Sequence, residues 1–334
     1  MWSRSLPLPP EADLLGRLLA RDRGAVAAAL NLVDDARPGR REQALALLDA
    51  LAREAPFPGA ARVGVTGAPG AGKSTLLDAL VRELRQRGRT LGIVAVDPSS
   101  ARSGGALLGD RIRVRSVAGD PGVFFRSMAA RERLGGLADA TRASVTILGA
   151  VFDVVLIETV GVGQSESDVA QLADTLVYVA QPGAGDLLQF MKAGILELPD
   201  VFVVNKADLG AVARRTAGEL EAGLGLGERA LAGWTPPVVL VSARDGAGIR
   251  ALVDALDAHR EHLEATGSGA GLIERRRRGS DAFVRETLER RYGSHGLEHL
   301  GGSLGLERRL RDEAGASPFA SILALGREIE EALA

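Results

Sequence analysis

The chain has 334 residues, 46% hydrophobic and 25% charged, an ordinary globular balance that excludes disorder as its overall state. Lys and Arg total 41 against 43 Asp and Glu, a net charge of −2, which argues against a general nucleic-acid binder. Cysteine is absent, which excludes disulfides, thiolate metal sites and cysteine nucleophiles; no apolar run reaches the roughly 18 residues of a membrane helix and Met1 to Pro10 lacks a signal-peptide centre, so a cytoplasmic protein is expected, bound to neither membrane nor nucleic acid.

Residues 1–58 read as a helical extension. Leu14, Leu15, Leu18 and Leu19 form a stripe of helical period. A second pattern runs from Gly24 to about Val33 and is broken at Pro38-Gly39. A third carries Leu45, Leu48 and Leu51 and ends near Pro56 and Pro58. From residue 61 the rhythm changes. Short apolar runs alternate with helical patterns: Val63 to Thr66, Leu91 to Val96, Phe152 to Ile157, Thr175 to Ala180, Val201 to Val204 and Val238 to Val241. Near-continuous apolar strands separated by helices predict a mostly parallel sheet covered on both faces, an α/β domain over residues 59–265. Thr266 to Gly271 is a flexible linker by composition. Residues 266–334 then give a basic helix, a glycine-rich break at Gly293 to Gly305, and a last helix opened by Ser317-Pro318 as N-cap and first helical residue.

Gly67-Ala68-Pro69-Gly70-Ala71-Gly72-Lys73-Ser74 fits G-x-x-x-x-G-K-[ST], after a predicted strand and at the start of a helix. Glycines let backbone N–H groups wrap a phosphate, and the helix N-terminus adds its positive dipole end. Lys73 is expected to reach the β- and γ-phosphates and Ser74 to ligate Mg²⁺, with Thr75 joining the phosphate-binding set. The plain alternative is a glycine-rich turn; the flanking strand and helix argue against it. The fold expected is therefore a P-loop NTPase with helical extensions at both ends.

Asn205-Lys206-Ala207-Asp208 closes the run Val201 to Val204, and ligands of parallel sheets bind at the carboxyl ends of strands. A carboxylate at Asp208 can accept hydrogen bonds from guanine's N1–H and 2-amino group. Adenine lacks both donors, so the choice of base can be strong. Asn205 is expected at the base edge and the stem of Lys206 over the ring. Val241-Ser242-Ala243 ends the next strand, where GTPases place a Ser-Ala contact to the guanine oxygen. Glu158-Thr159-Val160-Gly161 ends the run Phe152 to Ile157, with Glu158 near Mg²⁺ and the Gly161 N–H toward the γ-phosphate. Many GTPases carry Gln directly after that glycine to orient water; here it is Val162, and the role of Gln164 stays open. Asp97 and Asp110, in a glycine-rich stretch after Leu91 to Val96, are candidates for Mg²⁺ or water contacts. An Asp-Pro turn with one exposed charge is the bland alternative.

With these motifs in place, VDPSSARSGGALLGDRIR, ETVGVGQSE and QPGAGDLLQFMKAGILELPDVFVVNKADL resemble the MeaB/ArgK GTPases, over roughly residues 10 to 334. The resemblance implies a homodimeric GTPase, with 266–334 the dimerisation region. It implies work with an adenosylcobalamin-dependent acyl-CoA mutase, GTP hydrolysis gating cofactor loading. GTP or GDP and Mg²⁺ are the implied ligands. Lys73, Ser74, Asp97, Asp110 and Glu158 are the implied phosphate and Mg²⁺ residues. The loop Gly183 to Lys192, with Asp186, Gln189 and Lys192, matches the family's additional switch and is expected to couple to the partner. Three other readings are open. One is a nickel metallochaperone of the same class, disfavoured by four scattered His and no Cys. The second is a transport-linked ATP-dependent kinase, disfavoured by Asn205 and Asp208. The third is a scaffold that binds GTP without useful turnover. Arg275 to Arg278 reads as a solvated helix face rather than a phosphate or partner contact. His259 and His262 read as two exposed helix residues rather than metal ligands.

Overall fold

The computed structural model describes residues 11–35, 37–54, 59–97, 119–129, 137–159, 165–183, 198–225, 233–265, 270–312 and 317–333. Its strands are β1 (Ala61–Gly67), β2 (Leu91–Asp97), β3 (Val123–Ala129), β4 (Val154–Thr159), β5 (Thr175–Ala180), β6 (Val201–Val204) and β7 (Val238–Leu240). Its helices are α1 (Glu11–Leu19), α2 (Arg23–Val33), α3 (Pro38–Glu54), α4 (Lys73–Gln86), α5 (Leu137–Val151), α6 (Ser165–Leu172), α7 (Ala211–Gly225), α8 (Ile249–Ala265), α9 (Ala270–His299), α10 (Gly302–Asp312) and α11 (Pro318–Leu333). The strands form one sheet in the order β3-β2-β4-β1-β5-β6-β7, and every neighbouring pair is parallel. This is the expected α/β fold. β1 lies centrally, so the loop that leaves it emerges in the middle of the carboxyl edge.

Alternation along the buried strands divides the core between two faces. Val177 and Val179 of β5 pack with Leu76, Leu77 and Leu80 of α4 and Leu252 and Val253 of α8. Tyr178 and Ala180, with Phe202 and Val204 of β6, pack with Ala213 and Leu220 of α7. Two strand expectations change. Phe152 belongs to the turn that closes α5, its N–H donating to Leu148 O at 2.9 Å, and the strand starts at Val154. β3 was not expected. It is an edge strand with one neighbour, and Arg126 and Ser127 interrupt its apolar run. Its signal was the turn sequence Asp120-Pro121-Gly122 before Val123-Phe124-Phe125.

The chain groups into two compact units, the described residues within 61–132 and 153–279, and those within 1–60, 133–152 and 280–334. In the second, Leu18, Leu30 and Leu51 are fully buried. Asp22 caps α2 by accepting from Ala25 N at 2.8 Å, and Ser317 caps α11 by accepting from Ala320 N at 3.2 Å, as its sequence predicts. Gly293 interrupts α9 with φ +69°.

In the sheet unit, the arginine run departs from a solvated face. Arg276 donates to both oxygens of Asp174 at 2.7 and 2.6 Å, and Arg275 to both oxygens of Asp200 at 2.9 and 2.6 Å. Asp174 and Asp200 stand just before β5 and β6 and are buried. Burial works to raise the Asp174 pKa, and the Arg276 hydrogen bonds and charge outweigh it, so the net shift is downward. Arg277 and Arg278 pair with the half-buried Glu274. His259 is also a correction: it is completely buried, with Nδ1 2.8 Å from Thr175 Oγ1. Its Nε2 lies 3.4 Å from Asp200 Oδ1, and its ring centre is 4.8 Å from that of Trp234. Burial pushes its pKa down to about 4. Among the described residues no group of His, Asp and Glu is arranged to hold a metal, and no helix is long and apolar enough to cross a membrane.

Candidate nucleotide-binding site

β1 ends at Gly67 and α4 begins at Lys73, so Ala68 to Gly72 form the loop between them. Two glycines, one at each end of this connection, are required by geometry. Gly67 has φ +142°, and a Cβ there would stand 2.2 Å from Val179 O on β5. Gly72, the N-cap of α4, has φ +87°, and a Cβ there would stand 2.5 Å from Asn205 Nδ2. A side chain at Gly67 would strike the β5 backbone, and one at Gly72 would be strained by its positive φ and would displace the Asn205 amide. The loop therefore presents backbone N–H groups at a helix N-terminus, an anion site. Lys73 is buried, and its ammonium donates to Gly67 O at 2.6 Å and Ala68 O at 3.1 Å. Thr75 lies exposed on the first turn of α4.

The second motif is bonded onto the first. Asn205, 3% exposed, donates to Ala71 O at 2.9 Å and accepts from Ala243 N at 3.1 Å. One side chain thus joins three segments far apart in sequence. Its amide faces the phosphate loop, not an open base edge. Lys206 holds the left-handed conformation at φ +58°, rare for a side-chain-bearing residue. Its ammonium donates to Gly70 O at 2.8 Å, so its stem spans the gap between the two loops. Asp208 accepts from Ser242 Oγ at 3.0 Å and pairs with Arg244 at 3.3 Å. The Ala207 N–H donates to Val241 O at 2.9 Å and fixes this turn against the end of β7.

Glu158, near the end of β4, is buried and accepts from Ser74 Oγ at 2.8 Å. A buried carboxylate beside a hydroxyl at a phosphate loop is an all-oxygen donor set that fits a hard cation such as Mg²⁺. Asp97 ends β2. The Asp97 side chain and residues Asp110, Gly161, Val162, Gln164, Asp186, Gln189 and Lys192 lie outside the described residues. Two site neighbours escaped the sequence reading, Arg244 and Asp245, which directly follow Ser242-Ala243. Their only signal was a charged pair before Gly246-Ala247-Gly248. A third is Thr216 of α7, whose Oγ1 accepts from Gly183 N at 3.2 Å.

A parallel sheet with this loop after its central strand, and a second loop bonded onto it through Asn205, has the architecture of a P-loop GTPase. Residues 26–295 match the family described as "Methylmalonyl Co-A mutase-associated GTPase MeaB", and the chain belongs to that family. It is 46% identical over 271 residues to a protein of Pyrococcus abyssi named as a GTPase, covering 80% of each chain. It is 36% identical over 263 residues to "GTPase ArgK" of Escherichia coli (strain K12), covering 77% of this chain and 78% of that one. It is 38% identical over 261 residues to "Methylmalonic aciduria type A homolog, mitochondrial" of Mus musculus, covering 75% of this chain and 63% of that one. Among solved structures, one described as "Crystal structure of LAO/AO transport system kinase" superposes with a TM-score of 0.71 at 27% identity, over 98% of this chain and all of that one. The chain is a guanine-nucleotide-binding protein that hydrolyses GTP.

Proposed function

We propose that this GTPase is a chaperone of an adenosylcobalamin-dependent acyl-CoA mutase, coupling hydrolysis to cofactor loading and protection. The family description names mutase association, and that supports the partner class. The observation that carries the site reading is Asn205, which bonds the phosphate loop to the Ser242-Ala243 turn and so makes one cradle for one nucleotide. Gly67 to Thr75 and Gly161 bind the phosphates, and Asp208, with Ser242 and Ala243, reads guanine. Asn205 serves the base by holding these loops in register, and Lys206 covers the ring. Lys73 exchanges its two loop carbonyls for phosphate oxygens and there opposes negative charge that builds up in the transition state. Ser74 and Glu158, with Asp97 and Asp110, would hold Mg²⁺, which when bound neutralises phosphate charge. Without an amide directly after Gly161, the isolated protein lacks a water-orienting side chain at that position and turns over slowly.

The loop Gly183 to Lys192, through Asp186, Gln189 and Lys192, couples the site to the partner, and the region 266–334 supports a homodimer in the cytoplasm. The test is single-turnover GTP hydrolysis by wild type and Lys192→Ala, each with and without an acyl-CoA mutase. Acceleration of wild type and little of the variant is expected. Equal rates with and without the mutase reject the partner, and equal acceleration of both proteins rejects the loop. The similarity to a protein described as a transport system kinase supports a second reading, phosphoryl transfer to a transport component. In that case label from the γ-phosphate would appear on a protein or small acceptor rather than as inorganic phosphate.

A further inference from the structure

Four side chains close a ring at the base end of the cradle. Ser242 Oγ lies 3.0 Å from Asp208 Oδ1 and 2.9 Å from Asp245 Oδ2. A hydroxyl has one proton, so it can donate to only one of these carboxylates at a time. It also accepts from Asp245 N at 3.3 Å. Arg244 supplies what the hydroxyl cannot. Its Nε donates to Asp245 Oδ1 at 2.9 Å and its Nη2 to Asp245 Oδ2 at 3.2 Å. The same Nη2 stands 3.3 Å from Asp208 Oδ2. One guanidinium thus bridges two carboxylates that would otherwise repel across a shared hydroxyl. The Arg244 and Ser242 bonds hold the Asp245 carboxyl below its ordinary pKa.

The ring fixes how Asp208 faces a base. Each carboxylate oxygen has two lone pairs. Ser242 engages one oxygen of Asp208 and Arg244 the other, which leaves one lone pair on each for a two-pronged donor. Guanine presents such a pair in its N1–H and 2-amino group. We infer that Arg244 is a positioning residue for base specificity, holding the Asp208 carboxylate in the plane that reads guanine's 2-amino group. This rests on the reading of Asp208 as the base-recognising group. Arg244 is largely exposed, so its Coulomb attraction is screened; its effect lies in orientation, by tying the Asp208 carboxylate to that of Asp245.

The experiment compares GDP with IDP, whose base lacks the 2-amino group, by displacement of a fluorescent nucleotide at fixed ionic strength. Proteins are wild type, Arg244→Met, Arg244→Lys and Asp208→Ala. The expected result is a fall in the GDP-over-IDP preference of about tenfold in Arg244→Met, the size of one well-placed hydrogen bond to a charged group. Arg244→Lys is expected to recover part of it. An equal loss for both nucleotides in Arg244→Met assigns a general structural role and overturns the inference. So does an unchanged preference, or tighter GDP binding, which would make Arg244 a competitor of the base. Asp208→Ala separates the two levels. If it keeps the preference, the base-reading assignment itself fails. If it loses the preference while Arg244→Met keeps it, only the role of Arg244 fails.

Discussion

Lys73 donates to two carbonyls of its own loop and is buried there. Lys73→Ala removes that cation and leaves the two carbonyls without its ammonium. Loss of hydrolysis by at least about 100-fold is expected, the scale of removing one transition-state charge partner, together with much weaker GTP binding. Turnover within a few-fold of wild type in a purified, folded variant would mean that Lys73 does not act on the phosphates. This residue was legible because the motif spacing encodes a backbone shape: positive φ at Gly67 and Gly72 and a helix starting at Lys73. Arg244 was not legible. Its pairing with Asp208 depends on where β7 delivers the chain beside the turn after β6, and no local pattern records that juxtaposition.

At the scale of elements, the continuous apolar runs identified β1, β2, β5 and β6 because strands buried on both faces need no polar alternation. β3 stayed hidden because an edge strand is half covered and tolerates Arg126 and Ser127. His259 failed for a related reason: a polar residue between Leu256 and Leu263 of α8 reads as exposed, yet it faces the starts of β5 and β6. The groups around it are Asp200, Asp174, Arg275 and His262. Its folded pKa of about 4 lies below the ordinary value of 6.5. Neutral His259 therefore stabilises the fold fully above pH about 6.5, and the contribution is lost as pH falls toward about 4, amounting to about 3 kcal/mol. Denaturant unfolding between pH 7.5 and 4 should show a steeper loss in wild type than in His259→Gln. Equal slopes would mean that this imidazole titrates normally in the fold.

For the whole molecule, the sequence divides at the linker after α8, whereas contacts carry the sheet unit on to Gly279. At Gly279 a Cβ would stand 2.1 Å from Gln171 O, beside α6 in the same unit. The arginine pairs at Asp174 and Asp200 have a practical consequence for where the chain can be shortened. A fragment that stops at Ala265 strips Arg275 from Asp200 and Arg276 from Asp174. Asp174 keeps Arg260 at 3.5 Å and the Arg62 N–H at 2.9 Å. Asp200 keeps the Leu176 N–H and a neutral imidazole. Removing the guanidinium from a carboxylate that stays buried costs about 3–5 kcal/mol, and less where water takes its place, against the roughly 5–15 kcal/mol that holds a typical domain folded. Of two chains starting at residue 11, so that α5 keeps α1 to α3, the one ending at Gly279 should bind GDP and melt at the higher temperature. The one ending at Ala265 should melt many degrees lower or stay insoluble, and matching melting curves would mean that the guanidiniums are dispensable. The opening turns of α9, which look like the beginning of a separate tail, are thus a clasp on the GTP-hydrolysing unit, and the scissors belong after them.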